Sequence, residues 1–440
     1  MKSIRILAQQ YDKITGEVEE ETLISDDEVK KAVTLRGLGY LHIEQIEILQ
    51  KVQDFRIKAQ TKQNKIEECP KCGRKTYKQG MFKSKFHAAL TDHKAQLQRM
   101  SCRCGWKSDT SIEKIYGSAI HPDLLEKQAI QGSKESYQKA SDSLNAESCK
   151  RRGVNSHTQI YRTVALVSEP LEKIRSSVEC LKHGDTALSL IANIDGGHIK
   201  ARGENRSFEA MIATVYRPEN LQYVDKNHNM LTSKTMVASA KDDDQVSIKA
   251  LFKSACVSQG LSTETMVTCL VDGAANCYSI AHSIKKDCKN ITYILDWFHI
   301  AMKFKNISIP SDCEDQFSSA KWHLWHGNYK KAVTFLDEMK SQIVDVSIKT
   351  KLTKLSNYIK NNKDGIVNYQ QRKSDGLVYT SNLAESTVNT LINDRQKGKK
   401  KMLWNREGAH NVLQIRSSVQ SKSWKRDWHK IENSIYKLAA

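Results

Sequence analysis

The hydrophobic period of this chain changes at Leu188, and the order of elements that follows restricts the fold more than any other feature. From LSLIANIDGG (residues 188–197) onward, apolar residues gather into short continuous runs of the kind that make buried strands. The run that enters Asp195 is followed by EAMIATVYRP (209–218) and SKTMVASAK (233–241), then by a helix-period stretch, DQVSIKALFKSACVSQG (244–260). A further strand closes at Asp272 in MVTCLVDG, a helix spans AANCYSIAHSIKKD (274–287), and a last strand is read in ITYILDWFHI (291–300). The predicted succession is β-β-β-α-β-α-β, and that order carries more weight than any single residue within it.

Three acids stand where such an order can use them. Asp195 and Asp272 each close an apolar strand, and Glu385, in SNLAESTVNTLI, sits in a helix-period pattern with Leu383, Val388, Leu391 and Ile392 on the apolar side. Two acids at strand ends and a third on a helix can converge on a pair of Mg²⁺ (or Mn²⁺) ions that activate water and stabilise a leaving phosphate oxygen. The element order is similar to that of a ribonuclease-H-like core, in which the first strand runs beside the fourth. That pairing would bring Asp195 and Asp272 together. Asp296 also ends a strand and competes for the second position, but the DG turn at Asp272 opens a helix directly after the fourth strand. Asp296 and His299 are therefore read as supporting residues, with His299 orienting a water or phosphate. His198 is either a phosphate contact or a structural histidine.

Upstream lies the sharpest local motif: Cys69-Pro-Lys-Cys72-Gly, and later Cys102-Arg-Cys104-Gly-Trp. Two paired-cysteine turns, each followed by glycine, can point four thiolates at one tetrahedral Zn²⁺. The alternating stretch between them reads as a zinc ribbon that carries Lys75, Lys78, Lys83, Lys85 and Lys94, side chains able to meet phosphates. His87 and His93 fall between the two turns and read as surface histidines, with substitution for a cysteine ligand as the alternative. Residues 123–170 read as helices with Tyr137, Ala140 and Leu144 inward, a break at Lys150 to Gly153, and a second helix capped by Asn155 or Ser156, with Ile160 and Val164 inward. This is the outline of a helix-turn-helix whose second helix would offer Ser156, His157, Gln159 and Arg162 to a DNA groove. A plain helical hairpin fits the same pattern.

The fold expected is multidomain α+β. Residues 1–60 form an N-terminal region without an assigned role, read as a packing arm or a family-specific N-terminal module, with an acidic piece at Glu17 to Glu21. Residues 61–115 are the ribbon and 116–175 the helix-turn-helix region. Residues 185–302 and 377–420 make the ribonuclease-H-like α/β catalytic core. A helical insertion occupies 303–376, two or three amphipathic helices with Trp322, Trp325, Phe335, Leu336, Leu352 and Leu355 inside, and 421–440 is a basic tail. After Glu385 comes a basic run, Arg395, Lys397, Lys399, Lys400 and Lys401, then Trp404 and Arg406, expected to contact a DNA backbone.

Composition bounds the partners. The 440 residues hold 69 Lys plus Arg against 50 Asp plus Glu, a net charge of +19, which favours a polyanion. No apolar run approaches the ~18 residues of a membrane helix. The N-terminus is too polar for a signal peptide, and eleven mostly isolated cysteines suit a reducing compartment better than a disulfide framework. A cytoplasmic, nucleoid-associated protein is expected.

From the ribbon to about Trp424, the chain resembles bacterial insertion-sequence transposases of the DDE type. Four segments carry the likeness: the aspartate of NIDGG, the DG segment with its following helix at Asp272, Asp296-Trp-Phe-His299 (similar to a D-x-F-H signature), and the Glu385 helix leading to MLWNREGAHNVLQIR. The last is similar to a W-S-R-x-G-A segment, with Asn405 where serine is usual. The resemblance implies that Asp195, Asp272 and Glu385 bind two divalent ions. It implies that water first exposes a 3′-hydroxyl at an element end, and that this hydroxyl then attacks target DNA. Double-stranded DNA and a homodimer or larger assembly are the partners it implies. A structure-specific nuclease on the same core, and a non-enzymatic regulator using ribbon and helix-turn-helix, are the alternatives.

Overall fold

A computed structural model of the chain describes residues 4–26, 34–63, 66–148, 150–178, 185–203, 206–225, 228–381, 389–397 and 402–437. It divides into two units, residues 1–167 with 428–440, and residues 168–427.

The first unit opens with an antiparallel hairpin, β1 (Ile4–Tyr11) and β2 (Val18–Asp26), so the acidic piece is a strand. The stretch VTLRGLGYLHIEQIEILQKVQDF (33–55), whose pattern suggests a strand or helix pair, forms a short 3₁₀ turn and one long helix, α1 (His42–Gln63). A second hairpin, β3 (Tyr77–His87) and β4 (Asp92–Ser101), rises between the two cysteine turns. Alternation decides its faces: Ala95 and Leu97 are buried and pack with Ile57 of α1 and Ile112 of α2 (Ile112–Tyr116). His93, read as a surface side chain, is on that inner face, with Nδ1 2.6 Å from the Asp54 carboxylate. Three helices follow, α3 (Pro122–Lys134), α4 (Tyr137–Ala146) and α5 (His157–Ser176). A Cβ on Gly132 would lie 2.7 Å from Ile160 and 2.8 Å from Val164, so glycine sets the close approach of α3 to α5. The turn before α5 is locked by buried Arg152, whose guanidinium donates to the carbonyls of Ala88, Ala89 and Thr91 and pairs with Asp92. The bidentate fork satisfies the loop's carbonyls in one stroke.

The second unit is a five-stranded mixed sheet with helices on both faces. Its strands are β5 (Ser189–Lys200), β6 (Ser207–Tyr216), β9 (Thr235–Ser239), β10 (Met266–Val271) and β11 (Asn290–Leu295), in the order β11-β10-β5-β6-β9. β10 lies parallel to both β5 and β11, whereas β5, β6 and β9 run antiparallel. The first and fourth strands of the core are thus neighbours. A small hairpin, β7 (Leu221–Asp225) with β8 (His228–Leu231), stands outside this sheet and was not anticipated. On one face Leu190, Ala192 and Ile194 pack with α6 (Val246–Ser258) and α7 (Ala275–His282). On the other, Ile191, Leu270 and Ile294 pack with α8 (Trp297–Lys305), α9 (Glu314–Trp325), α10 (Tyr329–Gln342), α11 (Val346–Asn361) and α12 (Tyr369–Ser374).

Further details depart from expectation. Strand β5 runs on through Asp195 to Lys200, because its partner β6 continues the ladder to Ser207. WFHI leaves the sheet and begins α8, since Asp296 caps that helix and its side chain accepts from Phe298 N. Trp322, placed inside the insertion, is 57% exposed, while Leu336, Leu352 and Leu355 are buried as read. Downstream, a wide π-type stretch (Asn389–Lys397) precedes α13 (Arg406–Gln420) and α14 (Trp424–Ile435), the latter within what was read as a basic tail. Helix α13 covers the outer edge of β9, where Gln414 donates to the Ala238 carbonyl and Arg406 to that of Ala240. Covering an edge strand in this way removes its unpaired carbonyls. No described helix is long and apolar enough to cross a membrane.

Candidate functional site

Parallel pairing places three aspartates in one row. Val271 of β10 is in register with Ile194 of β5 and with Leu295 of β11, so the next residues of the three strands are Asp272, Asp195 and Asp296. They line one cleft together with Asn193, Thr214, His299 and Ser381. Burial pushes the Asp195 carboxyl upward, and the charges of Asp272 and Asp296 add to that push, against His299 and the Gly196 N–H. Crowded carboxylates of this kind repel one another unless a cation or proton sits among them.

The three acids are held differently. Asp272 has its Oδ1 on the N–H of Ala274 at 2.8 Å, and its carbonyl accepts the Tyr358 hydroxyl of α11 at 2.7 Å. The following Gly273 has φ +94°, and a Cβ there would meet Asn362 and Tyr358 at 2.9 Å, which accounts for the DG turn. Asp195 is half-buried and directs Oδ1 to the Gly196 N–H at 2.7 Å. Asp296 is 1% exposed and occupied: Oδ1 accepts from Phe298 N at 3.0 Å and Ser381 N at 2.9 Å, and Oδ2 accepts the Ser381 hydroxyl. His299 Nε2 lies between, 3.9 Å from Asp195 and 3.7 Å from Asp296. Glu385 lies outside the described residues, but Ser381, four positions before it, is tied to this row. Ser381 and Tyr358 were missed by sequence reasoning; the first has a signal in its closeness to Glu385, the second none.

The cysteines form a second site. The sulfur atoms of Cys69, Cys72, Cys102 and Cys104 all lie within 4.8 Å of one another, with Cys69 to Cys104 at 3.6 Å and Cys72 to Cys102 at 3.5 Å. Four sulfurs around one Zn²⁺ at ~2.3 Å would stand ~3.8 Å apart, so the quartet fits a tetrahedral ion. Gly73 and Gly105 adopt φ +70° and +89°, the left-handed conformation each turn needs. The Trp106 N–H and the Cys72 thiol lower Cys104 to about 7. Cys72 is driven to about 12 by its sulfur neighbours, against the Arg74 N–H that lowers it. A central cation resolves that competition by favouring every thiolate. Among the described residues this is the one cluster whose ligand atoms close so tightly.

Comparison of the chain with protein-family models and with curated proteins returned no match.

The expected DNA contacts separate by burial. His157 and Arg162 are exposed on the first turns of α5; Ser156 caps the helix by accepting from Gln159 N at 3.3 Å, and Gln159 is half-buried. Arg395 is 3% exposed and Trp404 7%, with the guanidinium 4.8 Å from the indole ring, so this pair builds the interior. Arg406 is turned to β9 and lies 5.0 Å from the Phe208 ring. Lys397 is exposed, and Lys399, Lys400 and Lys401 lie outside the described residues.

Proposed function

We propose that this chain is a DDE transposase: a ribonuclease-H-like core that cleaves and joins DNA, preceded by a zinc ribbon and a helix-turn-helix that bind element-end DNA. The observation that carries the reading is the row Asp195, Asp272, Asp296, because sheet order brings together the first two, which stand 77 positions apart in sequence. The strand order and the exposed His157 and Arg162 on α5 support the remaining assignments.

Asp195 and Asp272, with Glu385, would hold two Mg²⁺ ions; when bound, these supply an activated water and a stabilised leaving oxygen at phosphorus. Asp195 contributes a carboxylate whose raised proton affinity makes it ready to exchange a proton for a cation. Asp272 keeps its oxygen aimed by the Ala274 N–H and the Tyr358 clamp on its carbonyl. Asp296, with both oxygens already accepting, anchors Ser381 and so sets where the chain enters the Glu385 segment. His299 is placed to orient a phosphate oxygen or water beside Asp195. The substrate chemistry is two displacements: water opens a phosphodiester to leave a 3′-hydroxyl, and that hydroxyl attacks a target phosphodiester. No covalent protein intermediate is required.

Purified full-length protein, mixed with duplex from its own element ends and a target plasmid, tests this. Mg²⁺-dependent joining by the wild type, absent in Asp195→Asn, Asp272→Asn and Glu385→Gln, is the expected result. Cleavage without joining would make the protein a nuclease, and binding without either would make it a regulator.

A further inference from the structure

The apolar run of the first core strand is broken by one polar residue, Asn193, between Ala192 and Ile194. Asn193 lies two positions before Asp195 on β5, so alternation puts both side chains on one face of the sheet. Directly opposite Asn193 in the antiparallel ladder stands Thr214 of β6, and its parallel neighbour on β10 is Leu270, itself in register with Ile294. The row next to the three aspartates therefore holds an amide and a hydroxyl in an otherwise apolar layer. Tyr216, two positions after Thr214, adds a second hydroxyl to the same face.

These groups are deep in the fold and unpaired. Asn193 is 5% exposed, Thr214 1%, and Tyr216 is fully buried. Among the described residues, neither end of the Asn193 amide nor the Thr214 hydroxyl closes a hydrogen bond. The Tyr216 hydroxyl is near enough to the Asn193 amide to feel it, yet without the geometry of a bond. Buried donors and acceptors are satisfied in stable cores, by protein or by water, because leaving them bare costs more than one bond gains. Asn193 and Thr214 line the same cleft as Asp195, and that cleft leaves about 10 Å³, the room of a single water. Asp195 can use such a partner. Its Oδ1 accepts from the Gly196 N–H, while Oδ2 stands 3.9 Å from His299, too far for a hydrogen bond. Two strand positions are separated by ~6.7 Å, close to the ~5.6 Å that two hydrogen bonds through one water span.

We infer that Asn193 and Thr214 hold one buried water that donates to the Asp195 carboxylate, which makes both of them positioning residues for the first acid of the row. Neither side chain touches substrate; each acts through the water. A carboxylate held on one side by the Gly196 N–H and on the other by this water keeps one orientation while a cation arrives and leaves. The inference deepens the transposase reading and rests on it, since positioning Asp195 matters only if the row binds a cation.

The test uses full-length, zinc-loaded protein without DNA, with melting temperature and Mn²⁺ affinity as the two measurements. Asp195→Asn defines binding at the row. Thr214→Val keeps the shape of the side chain and deletes its hydroxyl, Asn193→Leu deletes the amide, and Thr214→Ser restores a hydroxyl. Thr214→Val and Asn193→Leu should each melt lower, although each replaces a buried polar group by an apolar one, and each should weaken Mn²⁺ binding by about tenfold. The double variant should bind Mn²⁺ no more weakly than the weaker single one, because one water can be lost only once. Thr214→Ser should bind as the wild type does. A Thr214→Val protein that melts higher overturns the inference, because the hydroxyl was then simply unpaired. So does wild-type Mn²⁺ affinity in Thr214→Val, which would leave the water as packing, or losses that add in the double variant, which would give the two residues separate partners. If Asp195→Asn leaves Mn²⁺ binding unchanged, the row is no cation site and the transposase reading falls together with this one. If Asp195→Asn abolishes binding and Thr214→Val does not alter it, the positioning role alone falls.

Discussion

The two candidate metal sites are built in opposite ways. The cysteine quartet is drawn from two turns 30 residues apart by Cys72 and Cys102, joined by a single hairpin, and each turn makes its own geometry from a glycine at positive φ. The acid row is assembled by a sheet: Asp195 and Asp272 meet only because β5 and β10 pair in parallel, with β6, β9 and α6 between them in sequence. A site made of local turns has little else to hold it, so its ion is part of its fold. A site made of strand ends is held by the core, and its ion is a visitor.

The largest effect should come from the first. Removing zinc by chelation, or changing Cys72→Ser, should unfold the cysteine hairpin, since its small cluster of Ala95, Leu97 and Ile112 must otherwise replace about 10 kcal/mol of metal binding. Hydrogen exchange should then rise across β3 and β4 and stay low in β5, β10 and β11. Metal analysis should find one zinc per chain. Equal exchange in both regions would erase the distinction.

The acid row should answer in the reverse sense. Asp195→Asn should lower Mg²⁺-dependent cleavage by about 10³-fold or more, yet raise the melting temperature of metal-free protein at neutral pH. The sign follows from the raised carboxyl of Asp195. Its ionised form is penalised in the folded chain above the unfolded value, and the penalty disappears as pH falls below that value. The gain in melting temperature should therefore vanish in acid. Asp296→Asn should be milder, about 10- to 100-fold in rate, as befits a residue acting through Ser381. If it matches Asp195→Asn, Asp296 itself is a ligand.

The same contrast explains what could be read from sequence. Cys-Pro-Lys-Cys-Gly and Cys-Arg-Cys-Gly state their geometry within five residues, and the apolar runs around Asp195, Asp272 and Asp296 mark three strands. What stayed hidden depends on partners distant in sequence. The run of β5 past Asp195 is set by β6, and His93 is inward because Asp54 of α1 meets it. Arg395 and Trp404 look like part of a basic surface run, yet each covers the other in the interior. Trp322 sits at helical spacing with buried leucines but falls on the outer side of α9. Charge and period state what a side chain prefers; the neighbouring element decides which face it takes.

The mildest change tests whether the helical region between α8 and the Glu385 segment takes part in holding the row. Tyr358, from α11, reaches the Asp272 carbonyl at 2.7 Å, and its ring bears the Lys303 ammonium at 4.2 Å. Tyr358→Phe keeps the ring and its packing and deletes one donor to a half-buried carbonyl, a loss of about 1 kcal/mol. If the bond only stabilises the fold, melting temperature should fall while the Mg²⁺ dependence of cleavage stays the same. If it aims Asp272, the Mg²⁺ concentration for half-maximal cleavage should rise by about threefold to tenfold, and Gly273→Ala should push it further by driving a Cβ against Tyr358 and Asn362. An unchanged Mg²⁺ requirement in both variants would leave α11 as packing alone and the acid row as the work of the sheet.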